Sequence, residues 1–153
     1  MQGVTLVLVT GSRSWTDRNR ILEALIEARE ATAIRDVMSV GPAKRMALMH
    51  GACPSGADQI AAQAAEWLGW MVLSRPADWG RYGASAGPQR NLAMVDEVRG
   101  YMGQGSRVVC LAFVLPCAKD TCPRRGAHWS HGAEHCGQAA EKAGIPTEWI
   151  EGA

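Results

Sequence analysis

Val4-Thr5-Leu6-Val7-Leu8-Val9-Thr10-Gly11-Ser12-Arg13 is the stretch from which the fold can be read. Val4 to Val9 are β-branched or leucine almost throughout, as expected of a strand covered on both faces, and the run breaks abruptly into small residues. Asp17 then caps a helix expected through about Glu30, with Ile21, Leu22, Leu25 and Ala28 at helical spacing. A strand, a Gly-Ser-Arg loop and a helix make one step of an α/β architecture. Three further segments fall where an apolar run gives way to a helical pattern: His50-Gly51-Ala52-Cys53-Pro54-Ser55-Gly56-Ala57-Asp58, Ala86-Gly87-Pro88-Gln89-Arg90-Asn91 and Ser130-His131-Gly132-Ala133. In a parallel sheet such loops converge at the carboxyl ends of the strands, where helix N-termini present unpaired N–H groups and a positive dipole end. Small residues let an anionic ligand approach that backbone, so the pattern reads as a nucleotide or phosphate site.

Residues 31–44 carry a Gly-Pro pair and read as irregular. Arg45 to His50 is expected as the second strand, and Ser55 as the opening of a helix whose Ile60, Ala64, Trp67 and Leu68 share a stripe before Gly69 ends it. Trp70 to Arg75 reads as strand three. Pro88 suits the first helical position, because its missing N–H has no intrahelical partner there, and the helix should run to about Arg99. Arg107 to Leu115 is the fourth strand, stopped by Pro116. A loop bearing Cys and His leads to a helix from about Gly132 to Lys142, with Ala133, Cys136, Ala139, Ala140 and Ala143 on one face, and a short strand near Thr147 to Ile150 closes the order. Alternation of this kind implies a mostly parallel sheet of about five strands wrapped by helices.

With 153 residues, 47% of them hydrophobic and 20% charged, one domain spanning 1–153 is expected. Sixteen Lys and Arg against fifteen Asp and Glu leave a net charge of +1, which disfavours nonspecific nucleic-acid binding. The Val4 to Val9 run is too short to span a bilayer and has neither a basic leader nor a small-residue cleavage site, so no membrane association and a cytoplasmic location are expected. Five cysteines, three of them beside three of the four histidines in the last third, point to metal or free thiols more than to a disulfide framework.

Each segment has a chemical and a plainer structural reading. Arg13 can pair bidentately with a phosphate or be a solvated loop residue. The absence of Gly-x-Gly-x-x-Gly argues against a standard dinucleotide dehydrogenase, so no flavin or nicotinamide cofactor is expected. Ser55-x-x-Asp58 matches a capping box, with catalysis the lesser role for Asp58. Arg90 and Asn91 are expected in the first turn of their helix, where a cation is disfavoured unless an anion compensates. Trp79 and Tyr82 can stack on a base or simply pack. Cys117, Cys122 and Cys136, with either His128 or His131 as the fourth ligand, suit a structural zinc, against which Cys136 lies on the apolar face of its helix.

Taken together, Gly11-Ser12-Arg13 with Asp17, His50-Gly51 with Gly56-Ala57-Asp58, Pro76 with Trp79, Gly87 with Arg90, Asn91 and Met94, and Ser130-x-Gly132 with Ala143-Gly144-Ile145-Pro146 resemble the SLOG superfamily, in its YspA-like, cpYpsA-related branch. The resemblance spans nearly the whole chain. It implies a Rossmann-like three-layer domain that binds a nucleotide or nucleotide-derived ligand such as ADP-ribose, as a sensor or as a processing enzyme, and it allows a homodimer. Its better-known relatives include the cytokinin-activating phosphoribohydrolases and the DNA-processing protein DprA. Those hydrolases carry Pro-Gly-Gly-x-Gly-Thr and then a glutamate, where this chain has Trp129-Ser130-His131-Gly132-Ala133 and Cys136. Binding is therefore the leading expectation. The rivals are hydrolysis of an N-glycosidic or phosphate bond with Asp58 or Glu134 as acid or base, and DprA-like nucleic-acid binding.

Overall fold

The computed structural model describes residues 3–37 and 45–152, and the Gly41-Pro42 pair lies outside them. Five strands, β1 (Val4–Gly11), β2 (Arg45–His50), β3 (Met71–Ser74), β4 (Arg107–Val114) and β5 (Thr147–Glu151), form a single parallel sheet in the order β3-β2-β1-β4-β5. β1 is central, with Val7 opposite Leu48 of β2 on one side and Val109 of β4 on the other. Its side chains alternate between two cores. Val7 and Val9 pack with Ile21, Leu25, Leu48, Ala61 and Phe113, whereas Leu6 and Leu8 pack with Met49, Met94, Val98, Cys110 and Cys136. A strand needed on both faces has no polar face to show, which is why residues 4–9 are apolar apart from the buried Thr5.

Helices α1 (Arg18–Val37) and α2 (Ala57–Trp67) cover the first face, and α4 (Ala86–Gly103) and α5 (His131–Lys142) the second. The short α3 (Trp79–Tyr82) carries the chain from one side to the other. This is a three-layer, Rossmann-like α/β fold, and its strand order reverses direction between β1 and β4, the place where open α/β sheets hold ligands. Helices α2, α4 and α5 all end in the same way. In each, a glycine (Gly69, Gly105, Gly144) takes a positive φ, and the next residue donates back to a carbonyl five residues earlier, as Trp70 N–H does to Ala65 O at 2.9 Å.

The boundaries differ from the sequence reading at several helices. α1 continues to Val37, seven residues beyond the expected end, because nothing from Ala31 to Val37 forbids a helix. α4 begins at Ala86, so Pro88 is its third residue, still within the first turn whose N–H groups have no intrahelical partner. On α2 the buried stripe is Ile60, Ala61 and Ala65. Trp67, expected on that stripe, is 77% exposed.

Among the described residues, no helix is long and apolar enough to cross a membrane.

Candidate functional site at the carboxyl edge of the sheet

The loops after β1, β2 and β4 meet around the backbone of Gly11 and Ser12. Ser12 N–H donates to Phe113 O of β4 at 2.9 Å, and Ser12 O accepts from Ala57 N–H, the first residue of α2, at 3.1 Å. Two glycines make this closeness feasible. A Cβ on Gly11 would collide with Ala57 Cβ and stand 2.9 Å from Phe113 O, while one on Gly56 would strike Ser12 O and stand 2.5 Å from two backbone carbons of Arg13. Gly56 also has φ 77 and ψ −149, a region essentially restricted to glycine. The Arg13 side chain is exposed, free to meet an anion, while its carbonyl accepts from Ser55 Oγ at 3.3 Å. Beneath, Trp15 packs edge-on against Phe113, with ring centroids 5.4 Å apart.

The expected capping box is absent. Gly56, not Ser55, is the N-cap of α2, with no side-chain bond to the helix. Asp58 instead turns its buried carboxylate to the loop before it, where Oδ2 accepts from Gly51 N–H at 3.0 Å and from Cys53 N–H at 3.4 Å. The physical reason lies at Ala52, whose φ of 58 curls the loop so that its amides face inward and need an acceptor. His50 helps, its Nδ1 accepting from Ala52 N–H at 3.0 Å, so the neutral ring carries its proton on Nε2. Burial lowers the His50 pKa, partly opposed by the Asp58 charge. Burial likewise raises the Asp58 carboxyl, opposed by His50 and by the Cys53 amide, and raises the Cys53 thiol, so Cys53 is not an activated nucleophile.

Arg90 does not lie in the first turn of α4. It is the fifth residue of the helix, and its guanidinium lies flat on Gly51, where a Cβ would stand 2.6 Å from Cζ. It donates to Gly51 O and, at 3.5 Å, to Arg75 O, while Nε donates to Asn91 Oδ1 at 2.9 Å. Carbonyl oxygens therefore meet this cation, and the helix dipole gives no reason of its own for a ligand there. The buried Asn91 passes the connection on, its amide lying 3.4 Å from Gly132 O and 3.4 Å from His135 Nδ1 on α5. Arg90→Ala should thus destabilise the free protein by about 1–3 kcal/mol, the cost of an unsatisfied buried acceptor, read as a lower urea midpoint with an unchanged slope. A midpoint equal to wild type would make this bridge energetically idle.

Ser130 is the N-cap of α5, yet its side chain caps nothing, and its buried Oγ has no partner among the described residues. Nothing stands within 4 Å of where a Cβ on Gly132 would be, so the start of α5 is open. Glu134, a candidate acid or base, is engaged in a bidentate pair with Arg124, at 3.0 and 3.3 Å. A cleft of about 320 Å3, the size of a small-ligand pocket, opens between the end of β3, α3 and α4, lined by Arg75, Tyr82, Arg90 and Met94 among others. Arg75 is already paired with Glu97 at 2.8 Å, and Arg81 sits 5.0 Å over the Tyr82 ring. Trp79 is half exposed, and its ring edge would stand 3.5 Å from a Cβ on Gly87.

The thiols sort differently from the expectation. Cys117, Cys122, His128 and His131 bring one donor atom each to within 4.8 Å of one another, a group that can hold a metal ion. Cys136 is not among them. It is fully buried against Leu8 and Cys110 of the second core, and burial raises its thiol to about 11, against a hydrogen bond from Thr10. Both histidines join the group, where the sequence reading chose one. The missed signal was local: all four residues lie within fifteen consecutive positions, whereas Cys136 follows the apolar face of a helix.

Comparison with known proteins matches residues 5–82 to the family model described as "YspA, cpYpsA-related SLOG family". The chain is also similar to the "Gene 61 protein" of Mycobacterium phage D29, 33% identical over 145 residues, which is 92% of this chain and 91% of the phage protein. No solved structure matches it significantly.

Proposed function

Because the chain belongs to the YspA, cpYpsA-related SLOG family, whose membership suggests a nucleotide-related role, we propose that it binds a nucleotide or a nucleotide-derived ligand of the ADP-ribose kind at the β1–β4 edge, as a sensor and not as a catalyst. The observation that carries this reading is the start of α5, where an uncapped helix N-terminus and the open Gly132 follow β4 beside the point at which the strand order reverses, with the N-cap Ser130 Oγ buried and unpartnered. An anionic phosphate supplies what those groups lack: acceptors for the free amides, a charge at the positive end of the dipole and a partner for a buried hydroxyl. The exposed Arg13 on the β1 loop offers a guanidinium for such a phosphate, and the cleft lined by Tyr82 is large enough for a base or a ribose.

A binding role is favoured over hydrolysis because the two carboxylates suited to acid or base work are both committed, Asp58 to backbone amides and Glu134 to Arg124. The donors of the Cys/His group, soft thiolates with imidazoles, suit a structural zinc ion. A cytoplasmic, small-molecule-binding protein, for which a homodimer is allowed, is the corresponding biological picture.

ADP-ribose or a purine nucleotide at a hundred times its dissociation constant should stabilise the native state by about 2.7 kcal/mol. For a protein of this size that raises Tm by roughly 5–11 °C, measurable by differential scanning fluorimetry. A broad nucleotide panel with no shift would remove the proposal. Product formation in the same mixtures would replace the sensor by an enzyme.

A further inference from the structure

We infer that Cys117, Cys122, His128 and His131 form a closed tetrahedral zinc site that clasps the strap of residues 115–130 onto the first turn of α5, and that this clasp sets the ligand edge beside it. The first half stands on donor geometry alone. Cys122 Sγ lies 3.4 Å from His128 Nε2 and 3.2 Å from His131 Nε2, Cys117 Sγ lies 3.5 Å from His131 Nε2, and the two Nε2 atoms are 3.1 Å apart. Zinc bound at about 2.3 Å to sulfur and about 2.0–2.1 Å to nitrogen in a tetrahedron separates sulfur from nitrogen by about 3.6 Å and nitrogen from nitrogen by about 3.3 Å. Four of the six donor separations therefore already stand close to the spacing the ion imposes, and the other two lie within 4.8 Å.

The tautomer agrees. His128 Nδ1 is 2.9 Å from Gly126 O and must donate to it, which leaves the Nε2 lone pair of the neutral ring aimed into the group. That lone pair faces Cys122 Sγ and the second imidazole nitrogen, the direction in which a bound cation would lie. Four protein donors fill a tetrahedron and leave no position for water or substrate, so the ion is structural and not catalytic. Two thiolates and two imidazoles select zinc over magnesium or calcium, which take oxygen ligands.

The second half follows from where the ligands sit, and it rests on the nucleotide reading. The strap's other ties are few: Cys117 N–H donates to His128 O at 2.8 Å, Ser130 N–H donates to Leu115 O at 2.9 Å, Pro116 bridges to Trp129, and the exposed Arg124 pairs with Glu134 in the first turn of α5 at 3.0 and 3.3 Å. Cys117 and Cys122 come from its outgoing limb, His128 from its return limb, and His131 is the first residue of α5. Fixing His131 fixes its neighbours on both sides, Ser130 with its unpartnered hydroxyl and the open Gly132. The zinc thus holds the helix start that the ligand would use.

Elemental analysis of protein purified without chelator should give one zinc per chain, and cobalt(II) exchanged into the site should show the intense visible absorption of a tetrahedral thiolate complex. Cys117→Ser and His131→Ala should each lose the metal, and Cys136→Ser should keep it. Removing the metal should speed amide hydrogen exchange at residues 128–133 at least tenfold while leaving β1 and β4 unchanged, and should weaken the thermal shift with ADP-ribose at least tenfold in apparent affinity. Protein that is metal-free and takes up neither zinc nor cobalt, or a Cys136→Ser variant that alone loses the metal, would overturn the site. A bound metal whose removal leaves exchange at residues 128–133 unchanged would overturn the clasp. If metal and exchange behave as expected but no nucleotide shifts Tm in either form, the clasp stands and the nucleotide reading fails.

Discussion

Gly56→Ala should cost about 4 kcal/mol of stability, lowering Tm by roughly 8–16 °C for a chain of this length. Two independent terms contribute. The backbone at Gly56, with φ 77 and ψ −149, lies in a region that costs a residue bearing a Cβ about 1–3 kcal/mol. The new methyl would also run into Ser12 O and the Arg13 backbone, which are main-chain atoms held by Phe113 and cannot swing aside, adding about 1–3 kcal/mol of overpacking. Gly69→Ala separates the terms, since Gly69 has φ 78 but nothing within 4 Å, and it should cost only about 1–2 kcal/mol. Chemical denaturation of both variants checks this. If Gly56→Ala falls no further than Gly69→Ala, then α2 does not press on the β1 loop, and the close junction at Ser12 loses its support.

That junction also marks where the sequence could and could not be read. The sheet was legible because the inner strands β1 and β4 are covered on both faces and so appear as apolar runs, whereas the partly exposed edge strands β3 and β5 were placed by the alternation of strand and helix patterns; β2 was expected and is observed at Arg45–His50, and β4 and β5 differ from expectation by one residue at their ends. The convergence of four loops at one edge was legible for the same topological reason. What the side chains in those loops touch was not, because the contacts depend on the loop's backbone path and on tertiary placement. Arg90 is 39 residues from the Gly51 carbonyl it covers, and no local rule tells a ligand-binding arginine from one that closes a backbone carbonyl. Asp58 shows a related failure: Ser-x-x-Asp fits a capping box by pattern, but the positive φ of Ala52 gives the carboxylate amides to satisfy elsewhere. With the thiols, apolar periodicity placed Cys136 correctly on a buried face, and the metal reading drew it out again. The compact run from Cys117 to His131 was the stronger signal.

Asp58→Ala should destabilise the protein by about 2–4 kcal/mol at neutral pH, while Asp58→Asn should stay within about 1 kcal/mol of wild type. The alanine leaves the Gly51 and Cys53 amides without an acceptor in a loop already bent through a left-handed Ala52, and each orphaned buried donor costs about 1–3 kcal/mol, less for the longer Cys53 bond. Asparagine preserves the latch because a single oxygen, Oδ2, takes both bonds, and an amide oxygen can do the same. It also removes a buried charge, and pH exposes that difference. Burial raises the Asp58 carboxyl above its unfolded value of about 3.9, so the native state holds the proton more tightly than the unfolded chain. The stability from this group is full below that unfolded value and is lost as pH rises through the folded one. His50 acts in the opposite sense: its depressed pKa makes stability fall as pH drops below about 6.5, since the unfolded chain takes up the proton first. Urea unfolding between pH 4 and pH 7 should therefore show Asp58→Asn losing less stability, relative to wild type, as pH rises from the acidic end. Carbon NMR titration of the wild-type carboxyl gives the direct reading. A carboxyl titrating at or below the ordinary carboxylate value, or an asparagine variant as unstable as the alanine, would mean that the ionised Asp58 and not its latch holds the loop, and that its charge is fully compensated in the folded protein.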